Sequence, residues 1–195
     1  DALMPIPGER VFDPGEFLDA ASTLYLIGSS SGAAAMGGWL SALLEDIVVP
    51  VPALLNTCEQ LIELFGKHGY TDNVIFGHAK DGNIHFMLTE QLGDGGDLQR
   101  FADFTEDMVD VVLANGGNLK AEHGTGRIMA PFVRRQYGDE LYDVTRQIKQ
   151  LFDPAGLLNP GVIVTDDDRA HMRDLKVTPT VEQEVDRCVE CGYCE

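Results

Sequence analysis

The stretch "NVIFGHAKDGNIHFML", residues 73–88, sets two apolar arms on either side of Asp81-Gly82. Asp-Gly is a favoured pair for the two-residue turn of a β-hairpin, so two antiparallel strands are expected here. Helical patterns flank them. Leu54 to His68 carries apolar residues at 54, 55, 58, 61, 62 and 65, and Gly69 stops the run. Leu98 to Leu113 repeats the period through Leu98, Phe101, Phe104, Met108, Val111 and Val112, ended by Asn115-Gly116-Gly117. Short helical material runs to Tyr137, and a third helix is expected from Asp139 to Phe152, ended by Asp153-Pro154. A hairpin between helices, without regular βαβ alternation, indicates an α+β fold rather than a doubly wound parallel sheet. Before it, "EDIVVPVPAL" is strand-like, and Pro50 and Pro52 confine it to an edge, a strand end or a non-strand path. The small-residue run at 29–38 reads as a loop, and the polar, mostly acidic residues 165–187 read as a linker.

The hairpin holds two histidines where apolar residues would suffice. A two-residue turn puts Ala79 opposite Ile84 and His78 directly opposite His85, with Cβ atoms about 4.5–5.5 Å apart on one face. Imidazoles that close can share a metal ion; the other reading is a pair of half-buried histidines hydrogen-bonded to backbone. A second polar cluster, "AEHGTGR" at 121–127, places Glu122 beside His123. Neighbours on an extended backbone point different ways, so one can serve a metal while the other faces a substrate. His78, His85 and Glu122 together make two imidazoles and a carboxylate with positions left open, as catalytic metal sites require. His123 is then the free base. A solvated loop with an incidental Glu and His is the other reading of this cluster.

Charge excludes one class of partner. Fourteen Lys and Arg stand against 32 Asp and Glu, a net charge of −18. Nucleic acid needs clustered cations, and anionic lipid surfaces favour them too. No run approaches the roughly 20 apolar residues of a membrane span, and no secretion signal is visible. The chain opens on Asp1 without an initiator methionine, which suggests a fragment or a processed product. Cys58 falls in a helical apolar pattern, whereas Cys188, Cys191 and Cys194 crowd the C-terminus. That spacing is not a secreted disulfide framework, so a reducing, cytoplasmic compartment is expected.

"GHAKDGNIHF", "AEHGTGR" and "LFDPAGLLNPG", in this order and spacing, resemble the C-terminal cap domain of FAD-linked oxidases. The resemblance is to flavin-dependent D-2-hydroxyacid dehydrogenases and covers roughly residues 44–164. It implies an antiparallel sheet with helices packed on one face. It implies FAD held by an N-terminal domain outside this chain, and a divalent ion, zinc or similar, on His78, His85 and Glu122. His123 becomes the base that takes the hydroxyl proton, and Asn159 and Gly161 belong to a segment returning towards the flavin. Met87, facing the same side as His85, makes a small acid such as D-lactate the expected substrate. Residues 22–44 hold no Lys or Arg, so Arg127 or the rest of the protein must face the substrate carboxylate.

Cys188-x2-Cys191-x2-Cys194 matches the opening of a bacterial ferredoxin run. The resemblance therefore extends to the branch in which the cap precedes a 4Fe-4S domain. On this reading residues 1–164 are the partial cap domain, 165–187 an acidic linker, and 188–195 the start of a cluster domain. Electrons would pass to an acceptor protein or quinone, with the parent in the cytoplasm or peripheral on the inner face of the membrane. Two other classes fit the residues alone: a stand-alone metal-dependent hydrolase, and a non-catalytic electron-transfer or docking module centred on the cysteines.

Overall fold

The computed structural model describes residues 24–27, 41–71, 73–90, 98–173 and 175. The loop expected at 29–38 and the three C-terminal cysteines lie outside them. The fold is α+β, as expected. Among the described residues four antiparallel strands, β1 (Leu24–Ile27), β2 (Ser41–Val48), β3 (Asn73–Gly77) and β4 (Asn83–Glu90), form one sheet in the order β1-β3-β4-β2. Three helices accompany it among the described residues: α1 (Leu54–Lys67), α2 (Leu98–Ala114) and α3 (Val133–Phe152). Among the described residues, no helix is long and apolar enough to cross a membrane.

Alternation along the strands separates two faces. Ile47, Ile75, Ile84, Phe86 and Leu88 turn inward and are buried with Leu61 and Phe65 of α1 and Phe104, Met108 and Val112 of α2. Phe86 sits at the centre, 5.4 Å from the Phe65 ring and 6.1 Å from the Phe104 ring. Helices thus cover this face, and the opposite one carries Asp46, Phe76, His85 and Met87.

Two helix ends steer the chain back to the sheet by the same device. At the end of α1, Tyr70 N–H donates to Phe65 O and Gly69 N–H to Gly66 O, with Gly69 at φ 73°. At the end of α2, Gly117 N–H donates to Val112 O and Gly116 N–H to Leu113 O, with Gly116 at φ 71°. Both are Schellman caps, in which glycine takes the left-handed conformation cheaply. After the second, Asn118 forms a two-bond bridge with Val48 at the end of β2, an edge strand. A Cβ on Gly117 would come 2.6 Å from Val48 O, so only glycine lets the backbone approach this closely.

The hairpin departs from the expected register. Ala79–Asp81 forms a 3-10 turn closed by Gly82 at φ 72°, so the loop has four residues rather than two. His78 N–H and O pair with Asn83, and Phe76, not His78, lies opposite His85. The physical reason is Gly82: its carbonyl accepts Val49 N–H from beyond β2, which ties the loop to the chain beside it. A slip of two residues preserves the face, because side chains alternate with period two. His78 and His85 therefore still point the same way.

Pro50 and Pro52 fall just past β2 in the 3-10 turn leading to α1, a strand end. Gly138, at φ 79° and ψ 168°, breaks α3 between the short helical piece and the longer one expected from Asp139. The first residues of the acidic stretch lie against the domain: Ala170 and His171 are buried, His171 beside the Phe101 and Phe132 rings.

Candidate metal centre

His78, at the end of the β3 arm, and His85, in β4, meet Glu122 from the loop that crosses the edge of β2. One ligand atom from each lies within 4.8 Å of the others. His85 Nε2 is 2.6 Å from Glu122 Oε1, and His78 Nε2 is 3.8 Å from the same oxygen. The two imidazole rings stand edge-on, 5.7 Å apart. His123 joins them with its ring 5.2 Å from that of His85 and its Nε2 3.7 Å from Glu122 Oε1. His85 is buried while His78, Glu122 and His123 are exposed, so the cluster opens outward from a fixed inner ligand. An open depression of about 280 Å³ adjoins it, lined by His78, Asp81, Asn83, Lys120 and Glu122 among others.

Beneath the cluster is a residue that sequence reasoning missed. Asp46 is fully buried on β2, directly opposite His85. Its Oδ2 accepts the N–H groups of Ala121 (3.1 Å), Glu122 (2.7 Å) and His123 (2.8 Å). Its Oδ1 accepts Asn83 Nδ2 at 2.7 Å. Burial pushes the Asp46 carboxyl upward, but the His123 and Glu122 N–H groups, Asn83 and the nearby His85 outweigh it and hold it below the usual carboxylate range. The one signal in the sequence is a Glu-Asp pair interrupting an otherwise apolar strand.

The donor set fits a divalent metal. Two imidazole nitrogens and a carboxylate oxygen suit zinc and its neighbours, and three protein ligands leave room for a substrate. Among the described residues, His85 Nδ1 is buried with no hydrogen-bond partner. It faces Asp46 Oδ1 at 3.7 Å, while Nε2 is the ring nitrogen turned to Glu122 and the ligand cluster.

The third motif folds into a tight turn after α3. Asp153 accepts Lys149 Nζ (2.6 Å) and the N–H groups of Leu157 (2.9 Å) and Leu158 (2.8 Å), which lower its pKa to about 2. Its folded value lies below the ordinary value of about 3.9, so its contribution to stability is complete above that pH. The contribution disappears as pH falls towards 2. Resonances of residues 153–158 are expected to shift over that window in acid-titration NMR, and Asp153→Asn should abolish the transition. Asn159 (φ 42°) and Gly161 (φ 76°) continue the turn in left-handed conformations, and Ile163 N–H donates to Gly126 O, which fastens the turn to the "HGTG" loop. Neither Asn159 nor Gly161 is among the three converging ligand residues.

The chain is similar to known proteins. The family model for FAD linked oxidases, C-terminal domain, matches residues 20–163. A glycolate oxidase subunit, GlcD, of Bacillus subtilis is 29% identical over 66% of this chain and 27% of its own length. A D-2-hydroxyglutarate dehydrogenase of Haemophilus influenzae is 32% identical over 72% of this chain and 13% of its own length. A D-lactate dehydrogenase of Archaeoglobus fulgidus is 29% identical over 61% of this chain and 26% of its own length. The chain thus spans about a quarter or less of these relatives. With the match covering strands, helices and all three motifs, the chain belongs to the FAD-linked oxidase C-terminal domain family.

Proposed function

We propose that this chain is the metal- and substrate-binding part of a flavin-dependent D-2-hydroxyacid dehydrogenase that oxidises a small acid such as D-lactate. The observation that carries the reading is the convergence of His78, His85 and Glu122, with ligand atoms within 4.8 Å and His123 alongside. His78, His85 and Glu122 would hold the ion. A bound divalent ion supplies Lewis acidity towards a hydroxyl oxygen, and FAD, held by the part of the protein outside this chain, supplies a hydride acceptor. His123 Nε2 takes the proton as the O–H bond breaks. The Cα–H bond breaks with its electron pair, and the carbonyl π bond forms from the oxygen. One proton and one hydride leave, so the acid becomes a 2-oxoacid.

Met87 lies on the face of His85 and is half-buried, which makes that side of the site less polar and suits lactate better than a dicarboxylate. Asn159 and Gly161 form the turn proposed to face the flavin. Cys188, Cys191 and Cys194 are proposed as the opening of a 4Fe-4S domain passing electrons to a protein or quinone acceptor, with the parent cytoplasmic or peripheral on the membrane.

Metal content tests the reading. The chain, purified without a metal-binding tag, is compared with His78→Ala and with a variant carrying serine at 188, 191 and 194. Serines are preferred to truncation at 164 because Ala170 and His171 pack into the domain. About one ion per chain, retained with the serines and absent from His78→Ala, is the expected result. Metal that disappears with the cysteines and survives His78→Ala would overturn it.

A further inference from the structure

Glu45 and Asp46 are consecutive in β2, so their side chains leave opposite faces of the sheet. On the helix-covered face, Glu45 accepts Lys120 Nζ at 2.8 Å, and both groups are nearly buried. On the other, Asp46 accepts three successive N–H groups, those of Ala121, Glu122 and His123. The segment that turns round the edge of β2 is therefore held from both sides, and on the site face one carboxylate takes three of its successive backbone N–H groups. That carboxylate also faces His85, with Oδ1 at 3.7 Å from Nδ1. It binds Asn83 as well, whose backbone pairs with His78. One buried side chain thus bonds the backbone of Glu122 and His123, reaches His78 through Asn83, and faces His85.

We propose that Asp46 is the positioning residue of this centre. Its carboxylate fixes the backbone that aims Glu122 and His123, and it selects the ring form of His85 in which Nε2 is available to a metal. The inference rests on the metal reading above. An imidazole that offers Nε2 to a metal carries its proton on Nδ1, and that N–H needs an acceptor. Nδ1 of His85 has no hydrogen-bond partner, and Asp46 Oδ1 is the carboxylate oxygen that faces it. At 3.7 Å the two are not hydrogen-bonded. His85 Nε2 is instead within hydrogen-bond distance of Glu122 Oε1. When a metal takes Nε2, the proton belongs on Nδ1, and a small ring movement closes the pair with Asp46.

Asp46→Asn separates this role from simple support. Asparagine keeps the shape and one oxygen for the three N–H groups; its amide nitrogen replaces Oδ1, so it presents N–H to His85 Nδ1 and to Asn83, whose amide turns its buried oxygen to accept. That makes Nδ1 an acceptor and puts the proton on Nε2. Zinc chloride is titrated calorimetrically into the full chain carrying serine at 188, 191 and 194, as wild type, Asp46→Asn and Asp46→Ala at position 46. In parallel, ¹⁵N NMR reads the His85 ring and hydrogen exchange reads the amides of 121–123. Asp46→Asn is expected to melt near the wild-type temperature, to bind zinc about 10–100-fold more weakly, and to keep the Nε2–H form at zinc concentrations that give wild type the Nδ1–H form. Asp46→Ala is expected to lose amide protection as well. Wild-type zinc affinity in Asp46→Asn overturns the inference and leaves the metal reading standing. No zinc binding by wild type sinks the metal reading, and unprotected 121–123 amides in metal-free wild type would then overturn the positioning role too.

Discussion

Replacing His123 by glutamine is expected to lower turnover of D-lactate by about 10²–10⁴-fold in the enzyme that unites this chain with its flavin-binding part. Its metal content should match wild type. The two expectations separate because adjacent residues are proposed to do separate work. Glu122 points its Oε1 between the imidazoles of His78 and His85. His123 stands beside them, its side chain 46% exposed and therefore open to a substrate. Glutamine keeps hydrogen-bonding capacity and similar bulk, but it cannot take up a proton near neutrality. Removal of a general base without disturbance of binding lowers kcat more than it raises KM. Glu122→Gln should differ, losing metal and turnover together. Loss of metal from the His123 variant would make that ring a fourth ligand, and undiminished turnover would remove it from proton transfer.

Much of this centre was legible from local chemistry, because its parts lie near features that announce themselves. A polar turn in an apolar run located the hairpin, and the face shared by His78 and His85 survived an error in the turn because the slip was even. An odd slip would have sent one ring into the core beside Phe86. The first two helices were legible for the same reason: each has one apolar stripe and a glycine where it stops, at Gly69 and Gly116, whereas α3 stops at Asp153-Pro154. Asp46 was not legible. Its partners are 37 residues away at Asn83 and 75 to 77 residues away at Ala121 to His123. In sequence it is one acid beside another. Only the pairing of β2 with β4, and the bridge from Val48 to Asn118, give it a function. Lys80 and Lys120 show the same limit: both are single cations in polar stretches, yet Lys80 is exposed while Lys120 is nearly buried against Glu45.

The largest loss of stability is expected from Phe86→Ala, the residue next to His85 on the other face of the sheet. Phe86 is completely buried and packs its ring against Phe65 and Phe104, so it joins the sheet to both α1 and α2. Truncation leaves a cavity that three elements must collapse to fill. Phenylalanine-to-alanine changes at such sites cost about 3–5 kcal/mol. At about 2–4 °C per kcal/mol for a chain of this size, the melting temperature should fall by roughly 6–20 °C. Phe86→Leu should cost less, since most of the volume remains. Zinc then tests whether the two faces act separately. A ligand that binds only the folded chain, at about 100 times its Kd, adds about 2.7 kcal/mol whatever the starting stability. With the cysteines replaced by serine, that increment should be the same in wild type and Phe86→Ala, and absent from His78→Ala. Equal increments would mean that the core supports the strand without tuning the ligands on its far side. A Phe86→Ala chain that folds yet gains nothing from zinc would mean that packing beneath β4 sets the position of His85, and Asp46 would then share that task with the core.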